Sequence, residues 1–125
     1  MRIDESRPLW LQLESEFRRR IAVGEWPSGS RVPSVRELAA EIGVNPNTIQ
    51  RALGELDRTE LTVTARTSGR FVTEDAAVIS GVRRAIAEEA VDALTSACTG
   101  LDMELDNIIA MITDRWPTEP RRRQA

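Results

Sequence analysis

The 125 residues include 17 Arg, 20 acidic residues and one Cys but no Lys or His, for a net charge of −3 and a hydrophobic fraction of 41%. Such a chain has room for one compact domain and a small appendage. With a lone Cys98 and no His, it excludes an internal disulfide, a nitrogen–sulfur metal site within one chain, and a Ser-His or Cys-His nucleophile. No catalytic activity, metal or cofactor is therefore expected. No apolar run is long enough to span a membrane and no signal peptide is evident, so a cytoplasmic location without membrane partners is expected.

In chain order, a first helix is expected from about Pro8 to Val23, with Trp10, Leu13, Phe17 and Ile21 on one side and Gly24 as its stop. Arg18, Arg19 and Arg20 cluster near its end, where cations complement the helix dipole; that role is preferred to DNA contact. Trp10 and Trp26 are expected to be packing residues. Ser34 followed three residues later by Glu37 is a capping box that starts a second helix. Leu38, Ala39 and Ile42 give that helix its apolar stripe, Gly43 stops it, and Val44 is placed to pack back. Asn45 then caps a third helix, Pro46 suits its first position, and Val44 and Ile49 are spaced as a hydrophobic staple.

Two helices joined by so short a glycine-containing turn form a helix-turn-helix, whose second helix reads base edges in the major groove. That helix is predicted from Pro46 to about Thr59, burying Ile49, Ala52, Leu53 and Leu56. Its opposite face carries Asn47, Arg51, Gly54 and Arg58, flanked by Thr48 and Gln50. Asn and Gln pair bidentately with adenine and Arg with guanine, and any of them also serves phosphate. Leu61 to Ala65 alternates apolar and polar, and Arg70 to Thr73 returns as a second strand. The result is a two-stranded wing. Its tip sets Arg66 and Arg70 around Thr67, Ser68 and Gly69, offering charge beside a permissive backbone.

From Ala76 the composition changes. Val78, Val82, Ile86 and Ala90 mark one stripe of a helix of about twenty residues, broadened by Ala85, Ala93, Leu94 and Ala97 and ended by Gly100. Asp102 is read as the cap of a last helix with Leu105, Ile108, Ile109 and Ile112 at i, i+3, i+4 and i+7, finishing before Pro117. Two antiparallel helices with two apolar stripes need cover, and a second copy of the chain supplies it. The alternative is that the pair folds back on its own N-terminal domain. Val82, Ile86, Leu94, Leu105, Ile108, Ile109 and Ile112 are the expected dimer residues. Arg121 to Arg123, between prolines and the terminus, are expected to lack fixed structure.

The fold class that follows is mainly α with a small β-wing: a winged helix-turn-helix over 1–75, a two-helix dimerisation tail over 76–116 and a basic tail over 117–125. Met1 to Thr73 holds 11 Arg against 10 acidic residues, whereas Glu74 to Ala125 holds 6 against 10. This asymmetry directs DNA to the N-terminal part. A winged-helix module that contacts a protein through Asn47, Arg51 and the wing is the competing reading.

The residues from Pro8 to Asp75 resemble the GntR-type bacterial transcription regulators, within them the short YtrA-like branch. The resemblance is carried by Pro8-Leu9-Trp10-Leu11-Gln12-Leu13, Gly24, Ser28-Gly29-Ser30-Arg31-Val32-Pro33-Ser34, Val35-Arg36-Glu37-Leu38-Ala39, Asn45-Pro46-Asn47-Thr48-Ile49-Gln50-Arg51-Ala52 and Gly69-Arg70-Phe71-Val72. It implies DNA contacts by Arg36, Asn45, Asn47, Thr48 and Gly69. With the groups read directly from the residues, the expected DNA set is Ser34, Arg36, Asn45, Asn47, Thr48, Gln50, Arg51, Arg66, Ser68, Gly69 and Arg70. The resemblance also implies a homodimer on a twofold-symmetric double-stranded operator, repression, and control of transporter genes, with no effector identified. Three departures stand out: Pro46 where many relatives carry Arg, Thr67 at a common wing glycine, and Glu60 at the usual glycine before the strand. The last predicts a shifted exit from the third helix.

Overall fold

The computed structural model describes residues 1–65 and 67–118. Five helices and one two-stranded antiparallel sheet follow one another: α1 (Leu9–Ala22), α2 (Val35–Ile42), α3 (Pro46–Arg58), β1 (Thr62–Ala65), β2 (Gly69–Val72), α4 (Ala76–Gly100) and α5 (Leu105–Arg115). They divide into two compact units, Met1–Arg83 and the residues from Arg84 onward.

In the first unit α3 is the hub, packed against α1, α2 and β1. Its apolar stripe, Ile49, Ala52, Leu53 and Leu56, is wholly buried together with Leu13, Phe17 and Leu38. Fully burying a side chain of that size stabilises by roughly 1.5–3 kcal/mol, so this stripe fixes how α3 sits. Trp26 closes one side of the core, its ring stacked 5.3 Å from that of Phe17. Val44 and Ile42 pack on the same cluster, as the staple requires. The core also includes Ile79 and Val82 from the first turns of α4, and Arg83 Nε donates to the Ala22 carbonyl at 2.8 Å. Val82, expected at a dimer interface, is therefore spent within its own chain. Periodicity identifies a face that is buried without saying against what.

The helix ends follow local chemistry. The Ser34 hydroxyl accepts from the Glu37 N–H at 3.1 Å and the Asn45 carboxamide oxygen from the Asn47 N–H at 2.8 Å. Gly43 leaves α2 with φ +78°, the left-handed turn that glycine takes without a Cβ clash. At the end of α3 the expected shift does not occur. Glu60 itself adopts φ +64°, and the Leu61 and Glu60 N–H groups close back on the Leu56 and Asp57 carbonyls. Leu61, 0% exposed, anchors the exit and forces the conformation. A side chain there costs about 1–2 kcal/mol against glycine's greater entropy loss of about 0.5–1. Glu60→Gly is thus expected to raise stability by up to about 1 kcal/mol, read as a higher urea midpoint with an unchanged m-value.

Asp102 requires a correction too. It does not cap α5, whose N-cap is Glu104. It takes φ +57° while Met103 and Asp102 donate to the Cys98 and Thr99 carbonyls, closing α4 as Glu60 closes α3. Gly100 is the last residue of α4, two positions short of that turn.

In the second unit the apolar positions of both helices face water. Leu105 is 71% exposed, Ile109 50%, Ile112 40%, Leu94 and Ile86 39%. Ile108 is the exception, at 8% exposed, and is covered within its own chain. No described helix is long and apolar enough to cross a membrane.

Candidate nucleic-acid interface

The outer face of α3 is built by subtraction. Once Ile49, Ala52, Leu53 and Leu56 are buried, Asn47, Gln50, Arg51 and Arg58 are left exposed and Thr48 and Gly54 half-exposed. Asn47, Gln50 and Arg51 make no side-chain hydrogen bond or ion pair among the described residues. Arg36, on the first turn of α2, is likewise exposed and without a carboxylate partner there. Ser34 and Asn45 are spent in part on capping, so the hydroxyl proton of Ser34 and the amide NH2 of Asn45 are what they can still offer a phosphate. Arg58 is held by Glu55 at 2.9 Å. That hydrogen-bonded guanidinium keeps the Glu55 carboxyl below its usual range.

The arginines of α1 differ from these. Arg18 pairs with Glu14 at 2.8 Å, Arg19 with Glu16 at 3.0 Å, and Arg20 with both Glu16 at 2.9 Å and Glu41 at 2.7 Å. Each cation of the cluster is thus paired with a carboxylate in place. Hydrogen bonds from Arg19, and then from Arg20, hold the Glu16 carboxyl down at about 2 against its burial.

The wing strands pair Thr62 with Val72, Val63 with Phe71, Thr64 with Arg70 and Ala65 with Gly69. Alternation puts Thr62, Thr64 and Arg70 on one face, and all three converge on Asp57 of α3. Arg70 reaches both Asp57 oxygens, with Nε 3.0 Å from Oδ1 and Nη2 2.9 Å from Oδ2. The Thr64 hydroxyl donates to Oδ2 at 3.0 Å and the Thr62 hydroxyl to Oδ1. Burial pushes the Asp57 carboxyl up, but these hydrogen bonds and the Arg70 charge prevail and hold it below the usual carboxylate range. Arg70, expected at the tip as a phosphate ligand, is therefore a clamp between wing and recognition helix. Its side chain is only 13% exposed.

A different arginine takes the open position. Ser30 to Val32 run along the free edge of β2: the Val32 N–H donates to the Arg70 carbonyl at 2.8 Å and the Val72 N–H to the Ser30 carbonyl at 2.9 Å. Arg31 thereby bridges to Phe71 and lays its guanidinium over Gly69, where a Cβ would come within 3.0 Å of Nε. Arg31 is exposed and has no ion pair among the described residues. The sequence reading placed it only in the connector. The signal available was an arginine between two small or apolar residues, a pattern too short to announce a strand. Gly69, at φ +101°, serves both turn and approach, and Ser68 and Thr67 are exposed beside it. Arg66 and Arg121 to Arg123 lie outside the described residues.

The chain is similar to known proteins along most of its length. The family described as "Bacterial regulatory proteins, gntR family" matches residues 9–72. The chain is 30% identical over 104 residues to the HTH-type transcriptional regulator YhcF of Bacillus subtilis (strain 168), covering 83% of this chain and 86% of YhcF. It is 37% identical over 71 residues to the HTH-type transcriptional repressor YtrA of the same organism, covering 57% of this chain and 55% of YtrA. A solved structure of a GntR family transcriptional regulator from Listeria monocytogenes superposes with a TM-score of 0.84 at 35% identity, covering 90% of this chain and 98% of that one.

Proposed function

The chain belongs to the gntR family of bacterial regulatory proteins, a family of transcriptional regulators and not of enzymes, and from that membership we propose that it is a homodimeric repressor. Each copy sets α3 in the major groove of one half-site of a twofold-symmetric operator and its wing beside the neighbouring phosphates. Binding occurs in the cytoplasm, and the targets that the resemblance implies are transporter genes. One observation carries this reading: Asn47, Gln50 and Arg51 stand exposed, with no side-chain hydrogen bond or ion pair among the described residues, on a helix whose other face is wholly buried. Arg51 has no carboxylate partner among the described residues, unlike Arg18 and Arg20 of α1. YtrA is named as a repressor, which supports the sign of regulation. The exposed apolar face of α4 and α5 supports the dimer.

The test begins with selection of bound duplexes from a genomic fragment pool, whose symmetry and half-site spacing report one reader per half-site. On the selected duplex, Asn47→Ala is expected to cost about 1–3 kcal/mol and relax one base position, as a lost base contact does. Arg36→Ala should weaken all duplexes alike and flatten the salt dependence if Arg36 meets phosphate. Unchanged binding by both variants overturns the major-groove assignment.

A further inference from the structure

Arg51 does more than stand free on α3. Its guanidinium carbon lies 4.1 Å from the centroid of the Trp10 ring, so an exposed recognition-helix cation rests on a half-buried indole from the first turn of α1. Glu55, one helical turn on and the nearest carboxylate by position, is taken by Arg58 at 2.9 Å and does not bind Arg51. The contact with the ring engages no carboxylate, and the Arg51 N–H donors make no hydrogen bond or ion pair among the described residues. An indole is the strongest partner for such a cation among the aromatic side chains. A guanidinium laid on a ring surrenders rotamer freedom before any ligand arrives, while its in-plane donors keep the fork geometry that fits a guanine edge or a phosphate.

We propose that Trp10 is a positioning residue for DNA recognition: it holds Arg51 with its donor edge turned outward for a bidentate contact, so that α1 contributes to operator affinity without touching DNA. This rests on the reading of α3 as the groove-binding helix. The consequence is a dependency, since Trp10 matters to DNA only while Arg51 is present.

The experiment is a double-mutant cycle on the duplex selected with the unmodified protein, with melting curves for every variant. Arg51→Ala is expected to weaken binding about tenfold or more, as loss of a bidentate base contact does. Trp10→Leu keeps the apolar bulk but not the aromatic face and is expected to weaken binding about 2–5-fold, the size of an exposed cation–π contact. Trp10→Phe should retain most of the affinity. In the Arg51→Ala background, Trp10→Leu should have no further effect on binding. An equal loss in both backgrounds overturns the proposal, because Trp10 would then act through the fold alone. Arg51→Ala without effect, while Asn47→Ala still weakens binding, overturns it too and leaves the groove assignment standing; no effect from either overturns the groove assignment itself. Should Trp10→Leu not fold, Trp10→Met, which also lacks an aromatic face, completes the same cycle, and a loss that persists without Arg51 is again the overturning result.

Discussion

Ile112→Asp is expected to yield a folded monomer that binds its operator roughly 100-fold or more weakly, the scale at which linking two readers multiplies affinity. Ile112 is 40% exposed on α5, and its stripe partners Ile109 and Leu105 are more open still. A carboxylate there meets water in the single chain but must be stripped of it to enter an apolar seam, which costs several kcal/mol. Ile108→Asp, one turn away on the same helix, should behave differently. At 8% exposed it buries the charge in its own chain and should unfold the tail. Sedimentation equilibrium separates the two outcomes. A dimer mass retained by Ile112→Asp would remove α5 from the interface, and unchanged operator affinity in a monomer would remove the need for two copies.

Asp57→Ala should cost about 2–3 kcal/mol of stability, less than the 3–5 of a fully buried broken pair because the Asp57 side chain remains 29% exposed. Four donor groups, two from Arg70 and one each from Thr62 and Thr64, lose their common acceptor. The guanidinium is left mostly buried without a counter-charge. Urea denaturation reads the loss, and a change below about 0.5 kcal/mol would mean the clamp carries no net stability. The pH dependence has a defined sign. The folded-state carboxyls of Asp57 and Glu16 both lie below their ordinary values, Glu16 at about 2. Their contribution is therefore full above the unfolded carboxylate range and is lost as pH falls through it toward about 2. Asp57→Ala should flatten that acid limb, and stability that rose on acidification would contradict the pairing.

What was legible in the sequence was whatever a few neighbouring residues decide. Ser34, Gly43, Asn45 and Pro46 each satisfy or release a backbone group within three positions of themselves, so the helix-turn-helix could be read directly. The two wing strands followed from alternation. Arg70 was misread because its partner lies 13 residues away on another element, and no local pattern records an ion pair across that separation. Asp102 was misread for the opposite reason, since an aspartate suits an N-cap and a left-handed exit alike. Only the closure of α4 onto Thr99 and Cys98 decides which it is. Glu60 shows a tertiary anchor overruling a local preference: burial of Leu61 is worth more than the strain it imposes one residue earlier. Arg31 became visible only when the connector paired with β2.

That pairing bears on the thermodynamics of operator binding. With Ser30 to Val32 bonded along one edge of β2 and β1 along the other, and Asp57 gripping the face between, the wing strands are formed before any nucleic acid is met. Complexation then involves no folding of those strands. Its heat-capacity change should scale with the surface covered by DNA alone, without the larger negative increment that accompanies segments ordering upon association.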